Sequence, residues 1–138
     1  MTVIRRKVCH ADERGEIIDV LEGTKVDSIT ILTILTGAVR GNHIHRKTTQ
    51  YTYVVEGKCR LYARPRSGKV RSRIVRKGDL VVSPPFEAHA FQGIEDSVLL
   101  AFCSGPRAGK QYETDTFRLE DPLVGAARSP ASEGRRTK

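Results

Sequence analysis

The chain has no tryptophan, one methionine, four tyrosines and four phenylalanines among 138 residues. So thin an aromatic supply leaves no platform for stacking bases, and no recognition-helix pattern accompanies it. Sequence-specific nucleic-acid binding is therefore not expected, despite a formal charge of +8. The three cysteines, Cys9, Cys59 and Cys103, are odd in number and scattered. They form neither a disulfide framework nor a metal spacing, and small buried hydrophobes are the expected role. No apolar run reaches the roughly 18 residues needed to cross a bilayer. The opening MTVIRRKVCH lacks the apolar stretch of a signal peptide. A cytoplasmic protein without membrane contact is expected. Apolar residues of helical period are also missing over any span of about ten residues, which argues against a helical fold.

What is present reads as short strands punctuated by Gly and Pro. Asp12-Glu13-Arg14-Gly15 is a turn, and Glu16 to Leu21 a short strand. Ser28 to Leu35 suits a strand covered on both faces. Cys59, Leu61 and Ala63 alternate with Arg60, Tyr62 and Arg64, as in a half-buried strand. Lys69 to Val75 returns beside it, Leu80 to Val82 is a buried strand, and Ser97 to Cys103 is a strand of core type. After Gly105-Pro106 the pattern fades into an irregular arm. Lys58 to Lys77 holds nine Lys or Arg and no acid. It reads as a solvated edge hairpin that blocks edge-to-edge pairing, or as a patch attracting phosphate. Many short strands with such turns give an all-β domain.

The most informative stretch is Gly37 to Gly57, GAVRGNHIHRKTTQYTYVVEG. Side chains two apart on a strand share a face, so a strand through Val39 to His45 aims His43 and His45 at one spot. Gln50 returns beside them if the next strand, Gln50 to Val55, pairs with the first as a hairpin. His89 follows within Gly78 to His89, while His10 reads as exposed. Neutral imidazole ligates zinc, iron, copper and nickel, and three of them leave an open coordination position. Alternatively, the three rings hydrogen-bond within a polar cavity. Both readings stand on the residues alone.

These two stretches resemble the paired motifs of the cupins. The first motif is Gly, five residues, His-X-His, three or four residues, Glu, six residues, Gly. It is matched by Gly37, His43, His45, Gln50 and Gly57, with Gln in place of Glu. In the second, Gly78, Pro84 and His89 match, while Phe86 stands for Gly and Gly93 for Asn. The resemblance covers about Ile29 to Cys103. It implies a single-domain cupin, a double-stranded β-helix or jelly-roll barrel. The barrel would span 1–125, with an N-terminal strand and a C-terminal arm around a motif core at 29–103. A basic tail would follow over 126–138. It also implies a homodimer with Val3 to Val8 near the contact. One divalent metal (Zn, Ni, Fe or Mn) on His43, His45, Gln50 and His89 is a further implication, Gln50 being a poorer ligand than a carboxylate.

Arg40 to Gln50 is similar to the signature of the nucleotide-sugar ketoisomerase branch, Arg-Gly-X-His-X-His-Lys-Lys-X-X-Gln. Asp12 to Gly15 resembles that branch's Asp-X-Arg-Gly turn. The resemblance implies an isomerase or epimerase of a dTDP-linked 4-keto sugar working by metal-free acid/base chemistry. His43 or His45 would be the base, and Tyr51, Tyr53, Tyr62 or Tyr112 the acid. Arg40, Gln50, Tyr62 and His89 would bind substrate, and Arg40 or the basic hairpin would hold the diphosphate. Asn42, Ile44, Thr48, Thr49 and the chain beyond Gly105 depart from that branch. A metal-dependent cupin of dioxygenase type with a three-histidine site is the second function considered. A non-catalytic sugar- or small-ligand-binding module is the third.

Overall fold

Alternating inward and outward side chains build two facing antiparallel sheets. The computed structural model describes residues 1–107 and 109–125. The expected tail at 126–138 and the side chain of Tyr112 lie outside the described residues. In chain order the strands are β1 (Thr2–Arg5), β2 (His10–Asp12), β3 (Gly15–Ile17), β4 (Ser28–Ile34), β5 (Val39–Ile44) and β6 (Thr49–Glu56). They continue with β7 (Lys58–Arg64), β8 (Arg71–Arg76), β9 (Asp79–Ser83), β10 (Ala88–Gly93), β11 (Ser97–Ser104) and β12 (Phe117–Arg118). One 3₁₀ turn, Gly109–Asp115, precedes β12. The first sheet runs β1-β9-β6-β11-β4, the second β12-β5-β10-β7-β8, and β2-β3 forms a separate hairpin. This is the jelly-roll arrangement expected from the two motifs.

The space between the sheets is filled unevenly. Ile34, Val54, Leu61, Val75, Phe91 and Leu99 are among the residues that pack one end into an apolar core. Along the same inward rows the side chains then turn small or polar. Val54 gives way to Thr52 and Gln50, Leu99 to Ala101 and Cys103, and Phe91 to His89. One end is thus a packed plug and the other an open cavity. Truncating Leu61 or Leu99 to alanine in the plug would cost about 2–5 kcal/mol.

Several local expectations change. β5 and β6 do not pair as a hairpin but lie in opposite sheets, so Gln50 meets the histidines across the barrel. β4 is an edge strand, and its outer face leaves Ile29 63% and Ile31 69% exposed, so it is not covered on both sides. The strand expected over Glu16 to Leu21 ends at Ile17, because among the described residues it pairs with the short β2 alone. Cys9 is exposed, whereas Cys59 and Cys103 are buried. Val3 to Val8 contributes β1, which pairs with β9 of the same barrel. The basic hairpin is a charged edge, since β8 closes its sheet with mostly exposed side chains.

Gly41 shows how backbone shapes the site. The register between β5 and β10 shifts at His89/Ala90, and Gly41 there holds φ +107. A Cβ at this position would lie 2.7 Å from the carbonyl oxygen of His89. Only glycine allows that approach without moving a histidine strand.

Candidate functional site

Four inward positions meet at the open end of the barrel. His43 lies on β5, His45 just past its end, His89 on β10 and Gln50 near the start of β6. His43 and His45 share a face as their spacing requires, with ring centroids 4.8 Å apart. His89 is the cross-strand neighbour of His43, its ring 4.7 Å from that of His43 and 5.4 Å from that of His45. All three rings and Gln50 are buried. One ring nitrogen from each histidine belongs to a set lying within 4.8 Å of one another.

The hydrogen bonds of this cluster do not close. His45 Nδ1 lies 2.8 Å from the backbone carbonyl of Asp115. A carbonyl only accepts, so a neutral ring carries its proton on Nδ1 and a lone pair on Nε2. That Nε2 faces Gln50 Oε1 at 3.2 Å, while Gln50 Nε2 donates to Thr52 Oγ1 at 3.0 Å. Two acceptors therefore face each other. Turning the amide over, so that Gln50 donates to His45 and Thr52 donates to Gln50, satisfies both; so does a cation between them. His43 Nε2 and both ring nitrogens of His89 are buried without a hydrogen-bond partner. Buried polar atoms are paired in the great majority of cases, and each neutral ring offers one N–H and one lone pair, so the cluster has donor and acceptor capacity open to a water, a ligand group or a cation.

Burial holds His43 down to about 4, and the neighbouring His45, Arg107 and Arg118 push in the same direction. Burial also lowers His89 well below its ordinary value, with His43 and His45 adding to the effect. A backbone group of Glu87 offsets part of it without meeting hydrogen-bond geometry. Both rings are thus neutral at pH 7, the form that ligates metal. Three imidazoles and an amide oxygen suit a late first-row ion such as zinc, nickel or iron. Cys103, whose thiol burial pushes up, lies 4.0 Å from Gln50 Oε1 and acts as an inert wall.

The C-terminal arm completes the site. The buried carboxylate of Asp115 accepts from the backbone N–H of Arg46 at 2.8 Å, Lys47 at 3.0 Å and Thr48 at 2.9 Å, and from Thr48 Oγ1 at 2.7 Å. Burial alone would raise its pKa, but these bonds outweigh burial and lower it. Asn42, at φ 59, donates to the carbonyl of Val124 and accepts from the N–H of Leu123. The Arg46 guanidinium stacks 4.0 Å over Phe117. Arg107 and Arg118 of the arm line a cavity of about 290 Å³ together with Arg40, His43, Gln50 and His89.

Among the residues expected at the site, the structure brings together His43, His45, Gln50 and His89, with Arg40 bordering the cavity. The Arg40 Nε donates to the carbonyl of Thr33 at 2.8 Å. The tyrosines are a correction. Tyr51 and Tyr53 alternate with Gln50 and Thr52, so the pleat turns them to the opposite face of β6. Tyr62 sits on the outer face of β7, its hydroxyl 3.4 Å from Gln92 Oε1. None of these three lines the cavity. Arg107, Asp115 and Arg118 escaped the sequence reading. The alternation Thr116-Phe117-Arg118 was the one available sign that a strand returned there.

Two facing sheets around such a histidine cluster define a jelly-roll barrel with its site in one mouth. Residues 20–121 match the cupin family, and the chain belongs to it. The fold is shared with dTDP-4-dehydrorhamnose 3,5-epimerase from Sulfolobus tokodaii, at TM-score 0.74 and 20% identity, covering 89% of this chain and 78% of that one. It is shared equally with a double mutant of the 3,4-ketoisomerase QdtA from Thermoanaerobacterium thermosaccharolyticum in complex with TDP. That match has TM-score 0.71 and 20% identity and covers 99% and 96% of the two chains. A stretch of 71 residues, 50% of this chain, is 37% identical to oxalate decarboxylase from Arthroderma benhamiae. The match spans 16% of that protein's length. No helix among the described residues is long and apolar enough to cross a membrane.

Proposed function

We propose that this cupin is an isomerase or epimerase of keto sugar nucleotides whose histidine cluster holds one divalent metal ion. The observation that carries the metal is the convergence of the unpartnered nitrogens of His43 and His89 on the facing acceptors His45 Nε2 and Gln50 Oε1. His43, His45 and His89 would hold the ion, with Gln50 Oε1 beside them. Bound there, it would supply Lewis acidity toward a keto oxygen. His45 is prepared for the task, since the Asp115 carbonyl fixes its tautomer and ring orientation. The low pKa of His43 suits a ligand better than a general base, whose best pKa lies near the working pH.

The substrate class is supported by the Arg40 to Gln50 signature and by the fold shared with the two sugar-nucleotide enzymes. Isomerisation and epimerisation both begin by removing a proton from the carbon beside a carbonyl; with the imidazoles on the ion and no Asp, Glu or Tyr among the described lining residues, solvent water would take that proton. The test is incubation with TDP-4-keto-6-deoxyglucose in D₂O, after chelation and after reconstitution with zinc, nickel or iron(II). Metal-stimulated loss of the sugar proton beside the carbonyl, followed by NMR, is the expected result. Absence of exchange with every metal would discard this reading.

A second reading is a metal-dependent cupin acting on a small carboxylate, of dioxygenase or decarboxylase type. The match to oxalate decarboxylase and the lack of a tyrosine among the described cavity residues favour it. Consumption of oxalate by metal-loaded protein would select it. Binding without turnover of either substrate would leave the small-ligand module.

A further inference from the structure

We propose that the C-terminal arm, residues 105–125, builds an oxyanion-binding subsite into the cavity, so that the ligand presents a carboxylate or phosphate group beside the histidine cluster. The inference rests on reading that cluster as the functional site, and names the chemistry its ligand must carry.

Three arginines border one cavity: Arg40 from β5, Arg107 from the segment after β11, and Arg118 from β12. No Asp or Glu lines it among the described residues. Arg118 stands in register opposite His43, and Arg107 is only 8% exposed. Arginine is seldom so buried. Its five N–H donors allow one guanidinium to keep a protein partner and still grip a ligand oxyanion.

The arm's cations are held in place by the same residues that depart from the ketoisomerase signature. Asn42 clasps Leu123 and Val124, and Thr48 with its turn clasps Asp115. The unusual motif residues and the unmatched arm are therefore one structural feature. Where the cupin motif writes Glu, this chain writes Gln50, so no carboxylate of the motif offsets a metal or the arginines. The cavity wall carries three arginines and no carboxylate among its described lining residues, and such a concentration of positive charge draws in anions.

The oxyanion has two chemical sources: the carboxylate of a small acid, or the diphosphate of a sugar nucleotide. Isothermal titration of the full chain distinguishes them. The probes are oxalate, malonate and dTDP, with oxamide and thymidine as uncharged counterparts, against chelator-stripped and zinc-loaded protein. The expected result is binding of an anion but not of its uncharged counterpart in both metal states. Arg118→Gln should weaken that anion at least about tenfold, while Arg107→Lys, which keeps the charge but loses the planar fork, should retain part of the affinity. Preference for a dicarboxylate or for dTDP identifies the source, and either supports the proposal. Equal binding of charged and uncharged probes, no binding of any probe, or wild-type affinity in both variants would overturn it. Because the metal-free arm stands alone, a failed sugar-exchange assay would leave this result intact, and the reverse also holds.

Discussion

Replacing Asp115 with alanine should damage both the fold and the site, by an amount the hydrogen bonds allow us to bound. The carboxylate accepts four bonds from the Arg46–Thr48 turn, and the same residue's carbonyl fixes His45. Thr48 is fully buried, so its N–H and hydroxyl would lose their acceptor with no water to replace it. Bonds to a charged acceptor are worth about 1.5–3 kcal/mol each when buried, and about 1 kcal/mol or less where water can substitute, as at Arg46 and Lys47. The expected loss is therefore about 3–8 kcal/mol. For a domain of this size that corresponds to a melting temperature lower by on the order of 10 °C. Asp115→Asn keeps one acceptor oxygen and should lose about half as much. Loosening the anchor of His45 should also weaken zinc binding by about 10- to 100-fold. Thermal unfolding by circular dichroism and zinc titration of both variants supply the readouts. An alanine variant that melts within about 2 °C of wild type and binds zinc equally well would refute the reasoning.

Gln50→Glu should raise affinity for zinc, nickel or iron(II) in calorimetric titration, because a carboxylate adds charge beside three imidazoles, less the cost of burying it in the empty site. Unchanged affinity would place Gln50 outside the ligand set or make its amide an adequate ligand. His43 is held near 4 in the folded chain against an ordinary 6.5, so the unfolded chain takes up a proton first as pH falls. Metal-free protein should therefore keep this contribution above pH 6.5 and lose roughly 3 kcal/mol between pH 6.5 and 4. Urea unfolding at several pH values should show a shallower slope for His43→Gln; an identical slope would contradict the burial argument. Tyr51→Phe, Tyr53→Phe and Tyr62→Phe should leave proton exchange on the keto sugar within about twofold, since none of these residues lines the cavity; a hundredfold loss would restore them as acids. Light scattering should report a homodimer with Val3 to Val8 near the contact; a single-chain mass at micromolar concentration would count against the pairing.

The barrel was legible because its signals are local. Turn residues such as Asp12 to Gly15 and the alternation of Cys59, Leu61 and Ala63 appear at the expected places. His43 and His45 share a face because spacing alone fixes it. What depends on partners far away in sequence was not legible. Nothing in β4 reveals that its outer face has no neighbour, so Ile29 and Ile31 read as buried. Gln50 reaches the site from the opposite sheet, because the chain crosses over at the turn that Asp115 ties down. The tyrosines failed because proximity in the motif was read as proximity in space, although the pleat sends Tyr51 and Tyr53 away from Gln50. Phe86 occupies a position where the motif has glycine and still takes φ 69. Its N–H donates to the carbonyl of His45 at 2.7 Å, and Arg66 stacks 4.1 Å over its ring. Those contacts show how a non-glycine residue is held there, and none could be read from the motif itself.

The central claim is that His43, His45 and His89 gather around a metal ion, with Gln50 as neighbour. Anomalous diffraction at the absorption edges of zinc, nickel and iron, on crystals of protein purified without a metal-affinity tag, tests it most directly. One anomalous peak among the three imidazoles, within about 2.0–2.2 Å of their nitrogens and with Gln50 Oε1 turned toward it, is the expected result. An empty cluster that stays empty after soaking in each metal, with the Gln50 amide turned over to donate to His45 Nε2, would contradict it.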